Sequence, residues 1–204
     1  MATQRYQRFV TGYHGCDASV AAMALDDKAP LKPSDNRFDW LGGGIYFWEH
    51  GPQRAYEWAV DQSKRIGSKI TKPTVLGAQL DLGICLDLLD TANTRLLQKR
   101  FVNFRRFLRE NKLPMPQNRN PQGEGWRDKA LRFRDCAVID FTLSRLFQNE
   151  GIKCQTVRGV FLEGGPAFPG SKIMLKSHIQ IAVLDPQCIT KIFELDAEEF
   201  RSDV

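Results

Sequence analysis

Three short segments of the 204-residue chain set a hydrogen-bonding or aromatic side chain where a ligand can reach it. Gly12-Tyr13-His14-Gly15 places an imidazole beside glycines, and Leu41-Gly42-Gly43-Gly44-Ile45-Tyr46-Phe47 places a phenol after three of them. Ser177-His178-Ile179-Gln180-Ile181 carries an imidazole and an amide two residues apart. Glycine lacks the Cβ that would hold a flat ligand away from the main chain. His14 can bond a hydroxyl, Gly15 can expose backbone to a carboxamide, and Tyr46 can present a ring face, with Tyr56 or Trp58 as a second. Ordinary alternatives stand beside each: a structural strand-end histidine at 14, a core tyrosine in a glycine-rich hairpin at 46, an exposed histidine at 178.

Local chemistry indicates the elements that must position these groups. Residues 8–13 are partly β-branched and read as a strand delivering His14 to its end. Asp17 caps a helix over 18–25. Residues 26–39 hold two prolines and a Lys-Pro-Ser-Asp-Asn run, a loop placed to cover a site between the first two motifs. Residues 44–48 form a second strand, Gly51-Pro52 opens a helix reaching toward Gly67, and 74–82 form a third strand. From about 88 to 111, Leu96, Leu97, Phe101, Phe104, Phe107 and Leu108 recur at helical spacing, with much positive charge opposite them. Residues 114–125 read as a loop, and about 129–149 as an amphipathic helix that Gly151 ends. Strands follow at 156–162, 179–184 and 189–195, with a Gly/Pro-bearing loop over 163–176. Strands and helices mix without βαβ alternation, which predicts an α+β fold. The reading is one domain over 1–204 with a basic helical insert at about 88–135.

Composition narrows the class. At 42% hydrophobic and 26% charged, the chain has the balance of a globular protein, with no apolar run long enough to span a bilayer. The first residues lack an apolar signal segment, so a cytoplasmic location is expected. Five scattered cysteines without a C-x-x-C pair argue against a disulfide framework or a zinc site. Cys16 follows the first motif, yet no pairing that would activate it as a nucleophile is evident. Between Arg95 and Arg134 stand twelve Lys or Arg against three acids; that segment is +9 and leaves −4 for the rest of a chain whose total is +5. Such a segment suits an anionic partner such as nucleic acid, or is a solvated helix face.

Taken together, the motifs resemble those of ADP-ribosyltransferases of the diphtheria-toxin and poly(ADP-ribose)-polymerase type, well over 8–65 and moderately over 156–193. That family splits NAD at the nicotinamide–ribose bond. The resemblance implies an α+β fold of split mixed and antiparallel sheets with flanking helices. His14-Gly15 matches the family's first-strand pair and Gly44-Ile45-Tyr46-Phe47 its later strand. It implies a catalytic set of His14, Tyr46 and Gln180, with NAD held by Gly15, Gly44, Phe47 and Tyr56 or Trp58. NAD enters as substrate and no metal is implied. The tail Asp185-Pro186-Gln187-Cys188-Ile189 aligns Gln180 with the family's glutamate.

Glutamine can bond a ribose hydroxyl but carries no charge and is no general base. Three outcomes stay open: Gln180 suffices for single transfer, Glu163 swings in from its loop, or the pocket only binds NAD or ADP-ribose. His178 is a further candidate on the acceptor side, since an imidazole titrates near neutral pH. The expectation is a mono-ADP-ribosyltransferase of bacterial style, a toxin, effector or defence enzyme acting on a protein or nucleic acid. A catalytically silent NAD- or ADP-ribose-binding module is the alternative, and a basic nucleic-acid-binding domain without a nucleotide pocket is a third.

Overall fold

The computed structural model describes residues 8–120 and 131–201. Seven strands, β1 (Phe9–Asp17), β2 (Ile45–Glu49), β3 (Pro73–Asp81), β4 (Cys85–Asp87), β5 (Thr156–Phe161), β6 (His178–Val183) and β7 (Ile189–Glu194), form one mixed sheet. Four helices flank it: α1 (Ala18–Leu25), α2 (Pro52–Ser63), α3 (Thr91–Glu110) and α4 (Phe133–Glu150). The sheet order is β4-β5-β6-β2-β1-β3-β7, and only the β4–β5 pair is parallel. This is the expected α+β class. No helix among the described residues is long and apolar enough to cross a membrane.

One junction in the sheet is thin. β1 pairs with β3 along all nine of its residues, and β2 pairs with β6 along all five. β1 and β2 meet only at Gly12↔Glu49 and Tyr13↔Trp48 before they part. The sheet is therefore two ladders joined at a short seam. The strand expected at 156–162 is present as β5, but β4 and its parallel pairing with β5 were not expected, because three buried residues carry no periodic signal. The second half of the loop expected at 114–125 and the start of the helix expected near 129 lie outside the described residues.

Packing divides into three clusters. Phe47, Ile45, Leu76, Leu80 and Ile181 fill the first, under α1 and β7. Leu41, Leu86, Ile139, Leu146 and Val157 fill the second, beneath α4, with Tyr46 and Trp40 at its edge. Trp48, Ala55, Val75 and Phe200 fill the third, around α2. Phe104 and Phe107 of α3 pack on Phe141 of α4 with ring centroids 5.3 and 5.7 Å apart. Gly151 ends α4 in the left-handed region at φ 68°, a conformation glycine adopts without steric cost.

Two polar networks tie the elements. Asp17 caps α1 through Ser19 N at 2.9 Å and also accepts from Thr71 N (2.7 Å) and Lys72 N (2.9 Å) at the entry to β3. These donors hold its carboxyl well below the usual carboxylate range, the Ser19 hydroxyl foremost. Arg158 of β5 reaches over β6 to Glu49 of β2 at 2.5 and 2.8 Å, and bonds Asp87 of β4 at 3.1 and 3.3 Å. Its side chain is 4% exposed, so three charges share one nearly dry site. Asp17→Ala removes a helix cap and the charged acceptor of the Thr71 and Lys72 N–H groups. It is expected to cost about 3 kcal/mol, read as a lowered midpoint in denaturant; a midpoint unchanged from wild type would show that water replaces the carboxylate.

Candidate functional site

The three chemical motifs fall on adjacent strands in the order β6, β2, β1. Where β1 leaves β2, His14 Nδ1 lies 2.8 Å from the carbonyl oxygen of Tyr46. A carbonyl only accepts, so Nδ1 carries the proton and Nε2 is left as an acceptor. Continuing the register would set Gly15 opposite Tyr46. The imidazole thus takes the carbonyl that the Gly15 N–H would otherwise bond. Its ring packs against Phe47 at 5.6 Å, and burial lowers its pKa from the ordinary 6.5.

Tyr46 contributes its carbonyl to His14 and its phenol elsewhere. The hydroxyl donates to the Gly42 carbonyl at 2.8 Å and accepts from Leu41 N at 3.0 Å. Burial, with the charge of Asp39 behind it, raises the phenol pKa, so the group stays neutral and pins the three-glycine segment. Gly42 needs its freedom: φ is +84°, and a Cβ would lie 2.6 Å from an Asp140 carboxylate oxygen. Phe47 is wholly buried in the first cluster, where it supports His14 and has no surface to offer a ligand. A Cβ on Gly15 would lie 2.2 Å from the Ala55 carbonyl, so this glycine admits the backbone of α2. A Cβ on Gly44 would meet the Val183 carbonyl at 2.9 Å.

Gln180 sits opposite both Trp48 and Gly159 in its two ladders. Its Oε1 accepts from Trp40 Nε1 at 2.6 Å, which leaves the amide N–H group to donate. The indole lies directly on Gly159, where a Cβ would stand 2.6 Å from the ring. Trp40 packs against Phe161 at 5.3 Å, and these two rings also line a cleft of about 560 Å³. Sequence reasoning passed over Trp40. Its signal was a pair of aromatics, Phe38 and Trp40, closing an otherwise polar, proline-bearing loop between two motifs.

His178 stacks on Phe161 with centroids 5.6 Å apart and 27° between planes. Its Nδ1 lies 2.6 Å from the Lys176 carbonyl, so this imidazole too is protonated at Nδ1. Nε2 is buried and has no hydrogen-bond partner. Burial lowers the pKa, opposed by that carbonyl bond, and the ring is neutral at pH 7. Beside it, Glu163 is held by Arg54 at 2.6 Å, while Glu57 lies 3.9 Å from Arg54 and 3.6 Å from Lys176. Arg54 Nε and Nη1 and Glu57 Oε2 are buried without hydrogen bonds. Arg54 and Glu57, one helical turn apart, were visible in the sequence as a charge pair and were not singled out.

The remaining expected contacts fall elsewhere. Tyr56 meets Phe200 at 5.1 Å and Trp58 meets Trp48 at 5.5 Å, both in the third cluster. Tyr46 packs in the second, so these rings do not form one slot with it. The Cys16 thiol is buried and pushed up to about 12, chiefly by burial and then by Asp17, which removes it as a nucleophile at neutral pH. The structure therefore gathers two neutral imidazoles, an amide and an indole along the β6–β2–β1 seam, with a charged cluster on the α2 side. No family model, curated protein or solved structure gives a significant match to this chain.

Two of the three histidines are thus folded with lowered pKa values. Their contribution to stability is complete above the unfolded value near 6.5 and is lost as pH falls below it toward the folded values. The thermal midpoint is expected to drop between about pH 7 and about pH 5, with His14→Gln and His178→Gln each flattening that drop. A wild-type midpoint that is level across this interval would mean that the buried imidazoles accept protons without strain.

Proposed function

We propose that the chain binds NAD at the seam between β1, β2 and β6 and transfers a single ADP-ribose unit to a macromolecular acceptor. The observation that carries this reading is the convergence of three motifs, separated by up to 166 positions in sequence (His14 to Gln180), on three neighbouring strands. His14 Nε2 is available to accept from a ribose hydroxyl, because Nδ1–H is committed to the Tyr46 carbonyl. The Gln180 amide can donate to a ribose oxygen. In the reaction, the bond between C1′ of the ribose and the nicotinamide nitrogen breaks, and its electron pair leaves with neutral nicotinamide. The acceptor nucleophile bonds C1′ and gives up its proton to a base. His178 is the base this reading assigns: it is neutral and its Nε2 lone pair is unclaimed, and because that atom is buried the acceptor must open the site to reach it. Glu163, tied to Arg54, reaches a ligand only by giving up that ion pair.

A second reading has a specific support. Gln180 already spends its carbonyl oxygen on Trp40, whose indole lies over the strand beside it. A site capped in this way, with no carboxylate to stabilise an oxocarbenium ion, fits a module that binds NAD or ADP-ribose without turnover.

Nicotinamide release from labelled NAD, measured with and without RNA, DNA and cell lysate, separates the readings. The transferase reading expects release together with label on a macromolecule. Gln180→Glu is expected to raise release by at least about tenfold, since it restores a charge beside the developing cation. A thermal shift on adding NAD, without release by either form, would support the silent module. Neither a shift nor release would dismiss both.

A further inference from the structure

We propose that one face of α3, continued by the cleft that Trp40 and Phe161 line, is a binding track for single-stranded nucleic acid that delivers a base beside Gln180; its role as acceptor rests on the transferase reading above. Residues 94, 98, 101, 105 and 109 recur at helical spacing and share one stripe of α3, about 22 Å long at 1.5 Å per residue. The first half of that stripe, Thr94, Gln98 and Phe101, lines the cleft of about 560 Å³ whose opposite wall includes Trp40 and Phe161. Its second half opens onto another cleft, of about 390 Å³, lined by Arg105, Arg106 and Arg109 with Val102, Leu113 and Met115.

The charge pattern identifies the occupant. Arg105, Arg106 and Arg109 are exposed and form no ion pair among the described residues. The only acid on α3 is Glu110, its last residue. Exposed apolar groups flank the arginines, Val102 at 57% and Leu113 at 50% exposure, surfaces that suit the sugars of a polynucleotide. Planar guanidinium forks match phosphodiester oxygens, and one turn of helix sets them apart along a backbone.

The aromatic half of the track argues for bases. Trp40 and Phe161 stand 5.3 Å apart, and the guanidinium of Arg132 lies 4.8 Å above the Phe161 ring. A base that displaced the Arg132 guanidinium from this ring would stack on Phe161 with the cation at its edge, the way single strands are held without regard to sequence. The carboxylate in this cleft, Asp135, is already engaged by Arg132 at 3.3 Å and Asn118 at 3.0 Å, so it does not repel a phosphate as a free acid would. A duplex would keep its bases stacked away from these rings, and an acidic peptide would have no use for them. The link to chemistry is a single hydrogen bond: Trp40 Nε1 donates to Gln180 Oε1 at 2.6 Å.

Fluorescence anisotropy with the full chain and no NAD tests this. The probes are labelled single strands of RNA and of DNA of about twelve nucleotides, the same DNA as duplex, and a polyglutamate peptide of matching charge. A single strand is expected to bind more tightly than duplex or peptide. Replacing Arg105, Arg106 and Arg109 together by alanine should weaken binding by more than about tenfold and flatten the log–log salt slope by about 2. Phe161→Leu should weaken binding and leave the salt slope unchanged, the mark of lost stacking. Peptide binding equal to that of the strands, strand affinity unaltered in the triple variant, or no strand binding at all would overturn the track. Strand binding that follows these variants, in a chain that never releases nicotinamide, would uphold the track and reject only its role as acceptor site.

Discussion

The hydrogen bond from His14 to the Tyr46 carbonyl is the constraint on which the arrangement depends. Antiparallel strands that begin to pair continue to do so unless their backbone groups find other partners, because a buried carbonyl without a donor is costly. Here the imidazole supplies the donor one residue past the last pair. β1 is thereby free to run on with β3, and β2 with β6. A side chain thus substitutes for main chain where β1 and β2 part. The same bond fixes the tautomer and so decides which nitrogen a ligand would encounter.

Of the groups along this seam, the two imidazoles, the phenol and the amide are uncharged, and Glu49, opposite Gly12, is neutralised by Arg158. Both imidazoles are kept neutral by burial, the Tyr46 phenol is raised out of its titration range, and an amide stands at position 180. Charge is held at the margins instead, in Arg54 with Glu163 and Glu57 beside α2, and in Arg158 with Glu49 and Asp87 on the other side. Positive charge developing on a sugar would therefore be stabilised by dipoles and by distant carboxylates rather than by a contact ion. In the proposed transferase reading, that would be weaker catalysis than a carboxylate gives and would favour reactive acceptors held close.

Much of the scaffold was legible because its signals are local. Asp17 before an alanine-rich stretch, Pro52 at a helix start and Gly151 at a helix end each act within a turn, and each does what its chemistry indicates. The site was legible in part. His14, Tyr46 and Gln180 could be picked out by type, but which atoms they present depends on pairing across the sheet. Tyr46 lends its carbonyl where its ring was expected, and Gly15 makes room for α2 where a ligand was expected. Trp40 acts across 140 positions, and nothing near it in sequence announces Gln180 as its partner. β4 is too short to carry a pattern of its own.

The Arg158 network constrains how such a sequence can drift. Its guanidinium bridges the strands on both sides of β6, so the amide-bearing strand is clasped from β2 to β4 by a single side chain. Replacing Arg158 alone would leave the Glu49 and Asp87 carboxylates without their shared cation in a nearly anhydrous pocket, a loss of about 3–5 kcal/mol. Replacing one acid leaves Arg158 paired with the other, so in any set of divergent relatives either acid can drift before the arginine, and the arginine only after both.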